Sequence, residues 1–324
     1  MEDLEESIYS SWVVRGFRLL SSFAVGTMSI ILNSITIFVL SKSENNCFGE
    51  ITTIFVRALA WNNLFSGLQL VLVEIVILLT PLPQVWPDLC ILLTPLFYTS
   101  INLSALFLCC LSIDRYVAVS YPLRYPIVLT KTVAVRLLLI AAHSGTISCW
   151  LLFFYHHFKY RETFFSFDIY YCQTIYTPQF QDPIWILLLA IGIVVPTVSF
   201  TLITVVNIKL FITAVGHVKR QNQVATTFQN GGTNQITPRV SPPSGLIEMK
   251  ALRSVLTITL CFYLTYTPVF VDSVLQFLAG QRPSPAIFLV TYYAIFCNGW
   301  TNCLIYVFMF KQFRTTAKRY IPFL

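Results

Sequence analysis

Seven stretches of mainly apolar residues divide the chain, at roughly 17–40, 51–79, 89–118, 133–156, 184–213, 250–279 and 286–309. A bilayer core is crossed by about 20 apolar residues in helical form, and each stretch reaches that length. Pro196 and Pro268 lie inside two of them; membrane helices tolerate proline because neighbours re-satisfy the freed backbone groups. The alternating segments of ~10 residues that a β-barrel requires are not visible. Hydrophobic residues make up 56% of the 324 and charged ones only 11%, against about 25% charged in ordinary soluble domains. That balance excludes a disordered chain, a nucleic-acid binder and a cytosolic enzyme. The net charge of +7 is spread thinly between apolar runs and reads as membrane topology. The expected fold is an all-α membrane protein, a seven-transmembrane helix bundle with a short amphipathic eighth helix.

Seven spans put the two termini on opposite sides. Sixteen of the 21 basic residues fall on the side that carries 41–50, 119–132, 214–249 and 310–324; Arg15, Arg18, Lys159, Arg161 and Arg282 fall on the other. The positive-inside rule then predicts an extracellular N-terminus and a cytoplasmic C-terminus. The acidic start, Met1 to Glu6, and the length of the first apolar run do not fit a cleavable signal peptide. Residues 1–16 are expected to be an extracellular N-terminus, 17–309 the bundle, and 310–324 the eighth helix and tail. The stretch 214–249 contains Asn230-Gly231-Gly232 and Ser241-Pro242-Pro243 and reads as a flexible cytoplasmic linker.

Polar side chains within a bilayer are costly and mark function by default. At 100° per residue, the third segment sets Phe97, Ser104 and Arg115 within about 20° of one another, with Cys90 near the same face at the outer end. Its inner end reads Asp114-Arg115-Tyr116. Segment seven places Asn298, Asn302 and Tyr306 at successive i, i+4 positions, one polar stripe. Segments one and two carry Asn33 and Asn62-Asn63, and segment six carries Phe262, Tyr266 and Pro268, with Glu248 before its cytoplasmic end.

In this order and spacing the motifs resemble those of rhodopsin-like (class A) G-protein-coupled receptors, from about residue 20 to 320. Asp114-Arg115-Tyr116, followed by Pro122-Leu123, resembles the family's D-R-Y motif and loop proline. Asn33, Leu59-Ala60-Trp61-Asn62-Asn63-Leu64, Pro196, Phe262-x-x-x-Tyr266-x-Pro268 and Asn302-Cys303-Leu304-Ile305-Tyr306 resemble the signatures of helices one, two, five, six and seven. The resemblance implies a ligand from outside, a heterotrimeric G protein inside, and no cofactor or metal. It implies that Arg115 pairs with Glu248 when inactive, and that Arg115 and Tyr306 are freed for the G protein. It also implies a Cys90–Cys172 disulfide on the oxidising side, a mid-membrane polar network of Asn33, Asn63, Ser104 and Asn298, and a regulatory contact, such as arrestin, through 214–249.

The departures carry their own expectations. Asn63 stands where the family has Asp, so a sodium ion would lack the carboxylate that offsets its desolvation. Cys303 replaces a proline and Tyr266 a tryptophan. The amine-binding aspartate of monoamine receptors would fall at Phe97 and the retinal-linking lysine of opsins at Phe296, which argues against both ligands. Glu74, about 16 Å outward of Asn63, is expected either to face a cationic ligand group or to sit at headgroup level. Phe97, Tyr98, Ile101, Tyr266, Phe270, Ser273, Phe288 and Tyr292 are expected to line an aromatic cavity for a small molecule or a peptide tip. A transporter would show interrupted helices or repeats, and an enzyme a nucleophile–base or metal set; neither is visible. A receptor-like protein that binds ligand or modulates a partner receptor without coupling is the alternative.

Overall fold

The computed structural model describes residues 2–43, 47–79, 86–160, 163–166, 171–174, 182–230, 257–271 and 285–321. Its helices are α1 (Glu2–Lys42), α2 (Glu50–Leu79), α3 (Trp86–Ser120), the single turn α4 (Tyr125–Val128), α5 (Lys131–Tyr160) and α6 (Pro183–Asn230). They are followed by α7 (Thr257–Val271), α8 (Pro285–Met309) and α9 (Lys311–Tyr320). Helix is the state the sequence demands, because hydrocarbon offers the backbone no hydrogen bonds and a helix satisfies them all internally. The seven apolar helices are α1, α2, α3, α5, α6, α7 and α8. Their outward side chains, such as Leu20, Ile140, Leu264 and Val290, are exposed, as a lipid-facing surface requires.

Several boundaries differ from the sequence reading. α1 begins at Glu2 rather than near residue 17, and α6 continues to Asn230, well into the stretch read as linker. The apolar pattern marks where lipid begins and ends and does not itself stop a helix; Gly16 and Gly216 lie within the two extensions without interrupting them. α4 was not foreseen. It follows Pro122 and carries Pro126 in its first turn, where a missing N–H costs nothing. Between α5 and α6 lies a two-stranded antiparallel hairpin, β1 (Thr163–Ser166) and β2 (Tyr171–Thr174), with Phe165 opposite Cys172. This hairpin packs against α3.

Small residues set the closest helix crossing. A Cβ on Gly67 would lie 2.9 Å from both the Gly26 carbonyl oxygen and Ser29 Cβ, and one on Gly26 would lie 2.6 Å from Val71 Cγ2. Backbones of α1 and α2 therefore touch, which is how membrane helices associate when lipid removes the hydrophobic drive between them. At the inner end, α9 turns 99° from α8 and buries Phe313 and Ala317. Phe48, from the turn before α2, wedges into this elbow with ring centroids 5.2 Å from Tyr306, 4.5 Å from Phe310 and 6.0 Å from Phe313. Gly49 follows with φ +86°, a conformation that favours glycine.

Gly67→Leu should force α1 and α2 apart. A loss of about 1–3 kcal/mol is expected from overpacking, read as a lower melting temperature of the purified protein in detergent; an unchanged melting temperature would contradict the crossing described.

Candidate functional site

α3 runs the depth of the bundle and carries polar clusters at two levels. Toward the C-terminal end of α3, Asp114 is fully buried. Its Oδ2 accepts hydrogen bonds from Thr52 Oγ1 of α2 at 2.8 Å and from Arg115 Nε at 2.8 Å. Its Oδ1 accepts one from the Tyr125 hydroxyl of α4 at 2.6 Å. Arg115 also closes an ion pair with Asp114 at 2.7 Å and donates to Thr52. A buried carboxylate persists only when so satisfied. Burial first, and then the hydrogen bond to Asp114, push the Tyr125 phenol up to about 12, so it remains a donor across the physiological range. Tyr116 points elsewhere, edge-on to Tyr121 at 6.2 Å. Glu248, the expected distant partner of Arg115, lies outside the described residues.

At mid-depth, Asn33 Nδ2 donates to the Ser29 and Gly299 carbonyls at 2.8 and 3.0 Å, joining α1 to α8. Asn62 Nδ2 donates to Ser104 Oγ and the Ser100 carbonyl at 2.8 and 2.9 Å, and Ser104 Oγ donates to Asn63 Oδ1 at 3.2 Å. Asn62, which the sequence motifs do not single out, makes shorter bonds to α3 than Asn63 does. A Cβ on Gly299 would lie 3.6 Å from Asn63 Cβ, so α8 presses on α2 here. Asn298 and Asn302 are buried. Asn63 Nδ2 and both amide atoms of Asn302 have no hydrogen-bond partner among the described residues. Tyr306 is buried beneath Phe48 and Phe313.

Toward the other end the rings gather. Phe97 stacks on Tyr292 with centroids 5.0 Å apart at 20°, and meets Phe296 at 5.2 Å. Tyr98 contacts Phe97 but is exposed on its other side. Tyr266 packs on Phe262 at 4.3 Å and donates its hydroxyl to the Ile101 carbonyl at 3.2 Å, tying α7 to α3. Phe200 bridges Tyr266 and the exposed Phe270. Ser273 lies outside the described residues. Phe288, Cys90 and Cys172 sit on described backbone, but their side chains lie outside the description. The seven other cysteines are free.

Glu74, expected beside a cavity or at headgroup level, is buried with a partner of its own. It is 2% exposed and pairs with Arg18 of α1, equally buried, at 2.6 Å. Ser22 donates to Glu74 Oε1 at 2.7 Å, and its Oγ lies 2.7 Å from the Tyr293 hydroxyl oxygen. Tyr293 donates to the Arg18 carbonyl at 2.8 Å. Arg18, Ser22 and Tyr293 were missed as a group. A basic residue near the start of the first apolar run and an acid near the end of the second were the available signal; their pairing needed the helix rotation.

Among the described residues, seven apolar helices, a short amphipathic helix bent away from the last of them, and a buried acid–base pair toward the C-terminal end of α3 form a helical membrane bundle. The pattern of the 7 transmembrane receptor (rhodopsin family) matches residues 32–306, and the chain belongs to that family. It is a multi-pass membrane signalling receptor, not an enzyme. Among known proteins it is similar to the probable G-protein coupled receptor 21 of Homo sapiens, 26% identical over 83% of this chain and 73% of the relative. It is also similar to the trace amine-associated receptor 9 of Homo sapiens, 26% identical over 68% and 61% respectively. A third relative is the alpha-1A adrenergic receptor of Cavia porcellus, 26% identical over 65% and 48%.

Removing one member of a buried ion pair strands the other charge and costs about 3–5 kcal/mol, whereas replacing both with apolar residues is near neutral. Arg18→Gln and Glu74→Gln are each expected to lower stability by about that amount, and Arg18→Met with Glu74→Leu to recover most of it. Thermal melting in detergent checks this; additive losses would exclude a direct pair.

Proposed function

We propose that this receptor lies in the plasma membrane with its N-terminus outside, takes a ligand against the aromatic cluster, and signals to a heterotrimeric G protein through Asp114-Arg115-Tyr116. The observation that carries the reading is the state of Arg115: half-buried at the inner end of α3, held by Asp114 and Thr52 while Tyr125 holds Asp114. A charged group held by breakable bonds at a helix end is what a two-state switch requires. Glu248 is the proposed second partner of Arg115, and Tyr306, under Phe48, is proposed to move with it. The hairpin's contact with α3 supports a Cys90–Cys172 bridge. Arrestin is proposed to engage the 214–249 stretch.

One of these relatives is named for trace amines. An amine ligand is not carried over, because the family's amine-binding carboxylate would fall at Phe97, which stacks on Tyr292. We favour a small molecule or the tip of a peptide that presents an apolar or aromatic surface to Phe97, Tyr266, Phe270 and Tyr292.

Ligand-free G-protein activation in cells, compared between wild type and Arg115→Ala at equal surface expression, tests the coupling. The basal signal is expected to fall in the variant, whereas a wild-type signal that survives it would overturn the role given to Arg115. Binding of a found ligand without activation of any G-protein class would favour a non-coupling relative.

The mid-depth residues do not fit a sodium ion. Asn63, Ser104, Asn298 and Asn302 are neutral, and a buried cation without a carboxylate is not compensated. Sodium is expected to leave agonist affinity unchanged in wild type and to lower it in Asn63→Asp; sodium sensitivity of the wild type would refute this.

A further inference from the structure

Beside the ring cluster sits a carboxylate that already has its cation. Tyr292 stacks on Phe97 and meets Tyr293 edge-on at 5.2 Å. The Tyr293 hydroxyl reaches Ser22, and Ser22 reaches Glu74. A buried carboxylate bordered by aromatic rings is, by its chemistry, a receiver for a small ammonium: the charge-assisted hydrogen bond and the ring faces both favour it. Here the guanidinium of Arg18 takes that place, 2.6 Å from Glu74 Oε2.

We propose that Arg18 is a specificity-determining residue, a built-in counter-ion that occupies Glu74 and thereby excludes cationic amines from this wall of the bundle. The inference rests on the aromatic cluster being the ligand seat, and it deepens that reading: the ligand meets α2 and α8 with an uncharged group.

Three features make Arg18 hard to displace. Its guanidinium is planar, with donors to spare for a carboxylate. It is carried by a rigid helix whose Arg18 carbonyl is itself held by Tyr293, so the guanidinium is prepositioned. It is tethered, so it competes at an effective concentration in the millimolar range or above, which a free amine at signalling concentrations does not match.

The test uses the purified full-length chain in detergent, with 2-phenylethylamine and its uncharged counterpart 2-phenylethanol as probes, and reads binding by ligand-induced melting shift. No G protein enters, so a chain that fails to couple would still report on this proposal. Wild type is expected to show no preference for the amine. Arg18→Gln should prefer it by about tenfold or more, the scale of one charge-assisted hydrogen bond, and Arg18→Gln with Glu74→Gln should lose that preference. A wild-type preference for the amine that Glu74→Gln abolishes would overturn the proposal, as would a folded Arg18→Gln that gains none. If Arg18→Gln does not fold, Arg18→Ser is extracted with and without methylguanidinium. Recovery of folded protein that disappears in the Glu74→Gln background supports the proposal, and absence of recovery overturns it.

Discussion

Hydrocarbon supplies no hydrogen bonds, and that single deficit organises this molecule. Backbone amides in the spans bond within their own helices, and some polar side chains, such as Thr36 and Asn207, also bond back to their own helix, while others reach a neighbour. Each such partnership therefore ties two helices: Asn33 reaches α8, Asn62 reaches α3, Ser22 and Arg18 reach α2, and Tyr266 reaches α3. Apolar contacts with lipid and with protein are nearly equivalent here, so these few bonds and the glycine crossing of α1 and α2 carry the specificity of the packing.

α3 makes such ties at several levels along its length. Its outer half presents Phe97 and the Ile101 carbonyl to the rings of α7 and α8, its middle presents Ser104 to α2, and its inner end presents Asp114 and Arg115 to α2 and α4. A shift of α7 that breaks the Tyr266–Ile101 bond acts on the same rigid rod that holds Arg115. The hydroxyl matters: a ring without it would pack in the cluster but would not tie α7 to α3.

Much of this was legible because spans, side bias and helical stripes depend on residue type and the helical repeat alone. The stripe of Ser104 and Arg115, and that of Asn298, Asn302 and Tyr306, follow from 100° per residue. Pairings between helices were less legible, since they depend on rotation and depth. Glu74 was expected to face a cationic ligand group or to sit at headgroup level, while its partner, Arg18, was counted among the outer basic residues. Thr52 and Tyr125 carried no signal at all, because a threonine in a helix and a tyrosine after a proline are ordinary until Asp114 is set between them. Helix ends outside the apolar runs were likewise hidden, since hydropathy reports the solvent and not the backbone.

The length of α6 has a mechanical consequence. Its 48 residues amount to roughly 70 Å at 1.5 Å per residue, more than twice the thickness of a bilayer core. The helix is therefore a lever with a short arm beside the rings around Phe200 and a long arm ending at Asn230. A tilt of a few degrees about its middle, small enough to be absorbed by side-chain repacking near Phe200, sweeps the far tip through several ångströms by the same geometry. Motion too slight to disturb the ring cluster becomes a displacement that another protein can feel.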